Sequence, residues 1–130
     1  MKHLVAVYGS LRAGMGNHRL LERHNARLVT EGEVVSDSFT MVDYAGGGFP
    51  AIVPDKNAEV PITVEVYEVD DAGMSALDML EGYPSFYNRK RVDLEEVGNV
   101  WIYYIQDLNV DLYPIVTNGD WVMYYNDLHS

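Results

Sequence analysis

Two spacings of apolar residues alternate along the chain, set apart by glycine, proline and Asn/Asp clusters. Residues 4–8 (LVAVY) form a short apolar run rich in β-formers and cut off by Gly9, which predicts a buried, central strand entering a turn. Gly14, Gly16 and Asn17 then give a loop, and Asn17 is placed to cap a helix whose apolar Leu20 and Leu21 precede polar His24 and Asn25. Residues 28–42 predict two short strands carrying Val34, Val35, Phe39 and Met41, with the Ser36, Asp37, Ser38 cluster as their turn. Residues 45–50 (AGGGFP) read as a plain glycine turn, although such a stretch can also bring backbone close to a ligand.

Residues 62–69 (ITVEVYEV) alternate with period two. This puts Ile62, Val64, Val66 and Glu68 on one face of a strand and Thr63, Glu65, Tyr67 and Val69 on a wetter one. Asp70 or Asp71 can cap the helix that follows, whose apolar positions are Met74, Leu77, Met79 and Leu80. Gly82 stands where a C-terminal glycine cap belongs, which makes Glu81 the last helical residue. Strand character returns at 90–94 and 97–105 as a hairpin turning near Asn99. An Asn118, Gly119, Asp120 turn then leads to Trp121, Tyr124 and Tyr125 in a final short helix or strand over the core.

The 130 residues fit one domain, and 48% hydrophobic with 22% charged residues is the composition of a folded protein. A net charge of −11 argues against a nucleic-acid partner, since such binding draws on clustered Lys and Arg. The absence of cysteine excludes disulfides, thiolate nucleophiles and Cys-based metal or iron–sulfur sites. His3, His18, His24 and His129 lack metal-ligand spacing, so no metal and no cofactor are expected. Without a secretory pattern or an apolar run long enough for a bilayer, the expectation is a cytoplasmic protein, monomeric by default, that does not engage a membrane.

Two stretches can carry chemistry. A glycine turn after a buried strand leaves consecutive N–H groups free to bind a carboxylate or a developing oxyanion, and Gly9, Ser10 and Leu11 are the candidates; an ordinary strand-to-helix turn is the structural alternative. Nucleotide motifs fail on spacing. Met15 and Gly16 stand where a P-loop needs Lys and Ser or Thr, and Arg19 stands at the third glycine of a dinucleotide fingerprint. No nucleophile elbow surrounds Ser10. The second stretch is Leu77 to Pro84 with Tyr87 and Arg89. Asp78 reads as a solvated mid-helix acid. Glu81, at a helix C-terminus and flanked by Leu80 and Tyr83, has two reasons for a raised pKa, the helix dipole and desolvation. Such a carboxylate suits general acid/base work at neutral pH.

Residues 7–21 (VYGSLRAGMGNHRLL) resemble the opening signature of the γ-glutamylcyclotransferase-like (AIG2-like) superfamily, and residues 77–92 (LDMLEGYPSFYNRKRV) are similar to its second. VEVYEV between them and NGDW near the end extend the resemblance over most of the chain, while Val64 departs from the glycine common among relatives. The resemblance implies an α+β fold, a mixed, partly closed small β-barrel with a few short helices, as one domain over 1–130. It implies a substrate-binding loop at Tyr8, Gly9, Ser10 and Leu11, Glu81 as catalytic acid/base, and Tyr87 and Arg89 as packing or pocket-lining residues. The implied activity is release of 5-oxoproline and an amine from a small γ-glutamyl amine or peptide. A noncatalytic ligand- or protein-binding member of the same fold, and an amide-processing enzyme with another acyl group, are the alternatives.

Overall fold

The computed structural model describes residues 1–35, 38–44, 46 and 48–130, and only the backbone of 32–34. Strand β1 (Lys2–Val7) leads through the glycine turn to α1 (His18–Arg23), then β2 (Arg27–Val35), β3 (Phe39–Asp43) and β4 (Pro50–Pro54). Strand β5 (Ile62–Asp70) runs directly into α2 (Asp71–Glu81). The hairpin β6 (Asn88–Leu94) and β7 (Gly98–Tyr104), a 3₁₀ turn at Val110–Leu112 and α3 (Trp121–Leu128) complete the chain.

Five strands form one mixed sheet in the order β2-β5-β1-β7-β6, with β3 and β4 paired separately. The mixed α+β fold with a few short helices is the one expected from sequence; the sheet does not close fully into a barrel, and β2 and β6 are its edges. β1 is central, antiparallel to β5 and parallel to β7, with Val5 opposite both Tyr67 and Trp101. A core of Ala6, Val64, Val66, Val100, Ile102 and Trp121 packs one face against the β3-β4 pair and α3. Val5, Val7, Tyr67, Val69 and Tyr103 pack the other against Leu21 of α1 and Met74 and Leu77 of α2. Covering both faces removes the contrast that the alternating pattern of β5 suggests, and Glu65, expected on a wetter face, is buried.

Other boundaries follow local chemistry. Asp70 caps α2 by accepting the Gly73 N–H at 2.8 Å, and Gly82 ends it in the left-handed region at φ 67°. Asn17 precedes α1 but makes no side-chain cap; its amide donates to Ser10 Oγ at 2.9 Å instead. The β6-β7 turn falls before Gly98, at φ 90°, and Asn99 lies within β7 opposite Asp93. Of the turn expected at 36–38, Ser36 and Asp37 lie outside the described residues, as do Ala45 and Gly47 of the glycine stretch. No helix among the described residues is long and apolar enough to cross a membrane.

Candidate active site

The end of β1, the C-terminus of α2 and the start of β4 converge on a cavity of ≈ 320 Å³. Its lining includes Tyr8, Gly9, Ser10 and Leu11 from the first turn, Leu80 and Glu81 from α2, and Gly48, Phe49 and Pro50. Phe86, Tyr87 and Tyr103 close the remaining side. Glycine is required at position 9 by close approach: a Cβ there would lie 2.7 Å from Pro50 Cγ and 2.8 Å from its Cδ. The turn is tied down by Arg12 N–H donating to Gly9 O at 3.0 Å and Asn17 N–H to Ser10 O at 2.9 Å. Among the described residues no acceptor takes the N–H groups of Gly9, Ser10 and Leu11, so they are available to an anionic oxygen.

Glu81 lines the same cavity as this turn. The glycine cap ends α2 directly after it and turns the chain away, with Tyr83 N–H donating to Asp78 O at 2.9 Å. Burial pushes the Glu81 carboxyl up to about 7, so near neutrality it holds or releases a proton at small cost. Three tyrosines surround it and remain protonated. Tyr8 is raised by burial and then by the nearby Tyr87 and Glu81, and its hydroxyl donates to Tyr103 O at 2.9 Å. Tyr87 is raised by burial and then by Glu81, and donates to Pro50 O at 2.7 Å, fixing the Phe49–Pro50 wall.

Arg89 is not among the cavity-lining residues. Its guanidinium lies between the rings of Tyr83 and Trp101, at 4.6 and 4.3 Å from their centroids, with Nε 3.1 Å from Asp78 Oδ1 in an ion pair. The same Asp78 oxygen accepts the Tyr103 hydroxyl at 2.7 Å. Asp78 is therefore no solvated surface acid: it joins the helix carrying Glu81 to the strand carrying Tyr103.

A second network was hidden from the sequence. Arg12, just after the glycine turn, donates from Nε to Glu65 Oε2 at 2.9 Å and from Nη1 to Asp120 Oδ1 at 2.8 Å. Glu65 Oε1 accepts the Ala13 N–H and the Tyr67 hydroxyl. Glu65 stands on the face of β5 that reads as the wetter one, so the local pattern gave no signal of its burial; Arg12 and Ala13, which it binds, lie more than fifty positions away.

Together these features define a class: a mixed α+β domain whose side cavity is lined by both a helix-end carboxyl and a glycine turn. The chain belongs to the AIG2-like gamma-glutamyl cyclotransferase family, whose model matches residues 5–123. It is 33% identical over 121 residues to a Vibrio cholerae protein provisionally named a gamma-glutamylcyclotransferase, covering 93% of this chain and 96% of that one. It is 31% identical over 118 residues to the gamma-glutamylcyclotransferase family protein YtfP of Escherichia coli, covering 91% and 95%. The fold recurs in an uncharacterized Pyrococcus horikoshii protein at a TM-score of 0.78 and 22% identity, over 98% of this chain and 96% of that one.

Proposed function

We propose that this protein is a cytosolic γ-glutamylcyclotransferase that converts a γ-glutamyl amine or peptide into 5-oxoproline and a free amine, with Glu81 as acid/base. The observation that carries this reading is a carboxyl raised by burial to about 7 in one cavity with three N–H groups that no acceptor takes among the described residues.

The substrate's α-ammonium is no nucleophile until it loses a proton, and the Glu81 carboxylate takes it. The freed amine attacks the γ-carbonyl carbon of the same molecule, forming the ring C–N bond and an oxyanion. The turn at Gly9, Ser10 and Leu11 holds the substrate's anionic oxygens, and the cavity walls hold the folded conformer, so ring closure gains from proximity. Collapse breaks the bond to the departing amine, which takes the first proton from Glu81; the regenerated carboxylate then accepts the surplus proton of the ring nitrogen and passes it on, so that a neutral lactam and an ammonium result. One carboxyl serves both steps, and neither metal nor redox chemistry is needed.

The test is 5-oxoproline release from a panel of γ-glutamyl compounds by wild type and Glu81→Gln. Release by wild type, lowered by about a hundredfold or more in a folded Glu81→Gln, is expected. Equal rates in the two proteins would remove Glu81 from the chemistry.

A further inference from the structure

Two acids, Asp78 and Glu81, stand in the last turn of α2, the end where the helix dipole opposes negative charge, and that turn has no basic residue of its own. The cation comes from β6. Arg89 places Nε 3.1 Å from Asp78 Oδ1, with its guanidinium between the rings of Tyr83 and Trp101. This Nε finds no hydrogen-bond acceptor among the described residues, so what the contact supplies to Asp78 is charge. Lys90 and Arg91, the next two residues of the edge strand, are exposed, as cations that guard a sheet edge are, whereas the Arg89 side chain is 18% exposed.

From Asp78 the contacts run on to the cavity. The same Oδ1 accepts the Tyr103 hydroxyl at 2.7 Å, and the Tyr103 carbonyl accepts the Tyr8 hydroxyl at 2.9 Å; both tyrosines line the cavity. The Tyr103 hydroxyl is pushed up by burial and then by Asp78, drawn down by Arg89 and pushed up again by Glu81, so all three charges are felt at one point. Among the described residues Glu81 is the one charged side chain on the lining, and Tyr8, Tyr87 and Tyr103 are the other titratable groups there. Asp78 reaches Glu81 from one turn earlier on α2, and Arg89 reaches Asp78 from β6. Without Arg89, Asp78 is an uncompensated negative charge near the carboxyl that must give up its own proton.

We propose that Arg89 is a positioning residue for this site: by neutralising Asp78 and clamping the end of α2 to the β6-β7 hairpin, it keeps a second negative charge from acting on Glu81. The inference rests on the reading of Glu81 as acid/base and adds the residue that keeps it a base near neutrality, with no contact between Arg89 and substrate.

The test follows the Glu81 carboxyl itself, by a carbon NMR titration with the resonance assigned through Glu81→Gln, beside the acid limb of kcat/KM for 5-oxoproline release. Arg89→Met should raise the carboxyl midpoint by about one pH unit, which lowers kcat/KM at pH 7 by about fivefold, and Asp78→Asn, which leaves the cation alone, should lower the midpoint. The Arg89→Met/Asp78→Asn double variant, with both charges gone, should return close to the wild-type midpoint, and Arg89→Lys, which keeps the charge, should stay near it. A purely structural role would cost stability or kcat without this opposition of sign. A midpoint that does not move in Arg89→Met, or that the double variant fails to restore, overturns the proposal; if Arg89→Met does not fold, a midpoint unmoved in Asp78→Asn does the same. The expected titration pattern with no 5-oxoproline formed leaves this charge relation standing and overturns the cyclotransferase reading.

Discussion

At the scale of single residues, the Glu81 carboxyl links stability and activity. Its folded-state pKa of about 7 lies above the ordinary 4.5, so the folded protein holds this proton more tightly than the unfolded chain does. Stability is therefore free of the penalty below pH 4.5, falls as pH rises from 4.5 to 7, and carries the full penalty above 7. Glu81→Gln, which removes the charge, should stabilise the protein by about 2–3 kcal/mol at pH 8 and hardly at all at pH 4, read from urea unfolding at both pH values. Catalysis should run the other way. The base form is needed, so kcat/KM should fall by about tenfold per pH unit well below 7, and a flat profile from pH 5 to 8 would remove Glu81 as the base. Tyr8, Tyr87 and Tyr103 keep their protons throughout that range and add no limb to the profile.

At the scale of elements, the site is a meeting of ends: the last residue of α2, the turn after β1 and the first residue of β4. Gly9→Ala drives a Cβ into Pro50 and pushes the turn from the β4 wall. About 1–3 kcal/mol of stability should go with it, measured by thermal melting, together with a larger proportional loss of kcat/KM. Asp78→Asn and Tyr103→Phe should each destabilise by about 1 kcal/mol, and the double variant by less than their sum, since they break one shared hydrogen bond. These elements also show what the sequence makes legible. The end of α2 could be placed because its cap signals, Asp70 and Gly82, lie within the helix's own neighbourhood. The turn after β1 could be placed because an apolar run stops at Gly9. The wall at Gly48, Phe49 and Pro50 read as a plain turn because its role depends on β1 and Tyr87, which local composition does not reveal. Asp78 and Glu65 were misjudged for the same reason: Tyr103 and Arg12, which they bind, come from other strands and loops.

At the scale of the whole molecule, Arg12 bridges β5 and the cap of α3, tying the turn after β1 to an aspartate 108 positions away. Arg12→Met would leave Glu65 and Asp120 without their shared cation, and a loss of about 3 kcal/mol or more is expected in denaturant unfolding. Adding Glu65→Gln should restore part of it, an outcome that simple loss of packing volume would not produce. The sheet order has a consequence in time. During synthesis β1 is made first, yet its neighbours β5 and β7 come only with residues 62–70 and 98–104. Until then an apolar strand leaves the ribosome with both ladders open, and the cavity, which needs Tyr103, waits almost as long. A nascent chain arrested before residue 98 should thus be bound by chaperones and cut quickly by protease, and release of the full hairpin should end both.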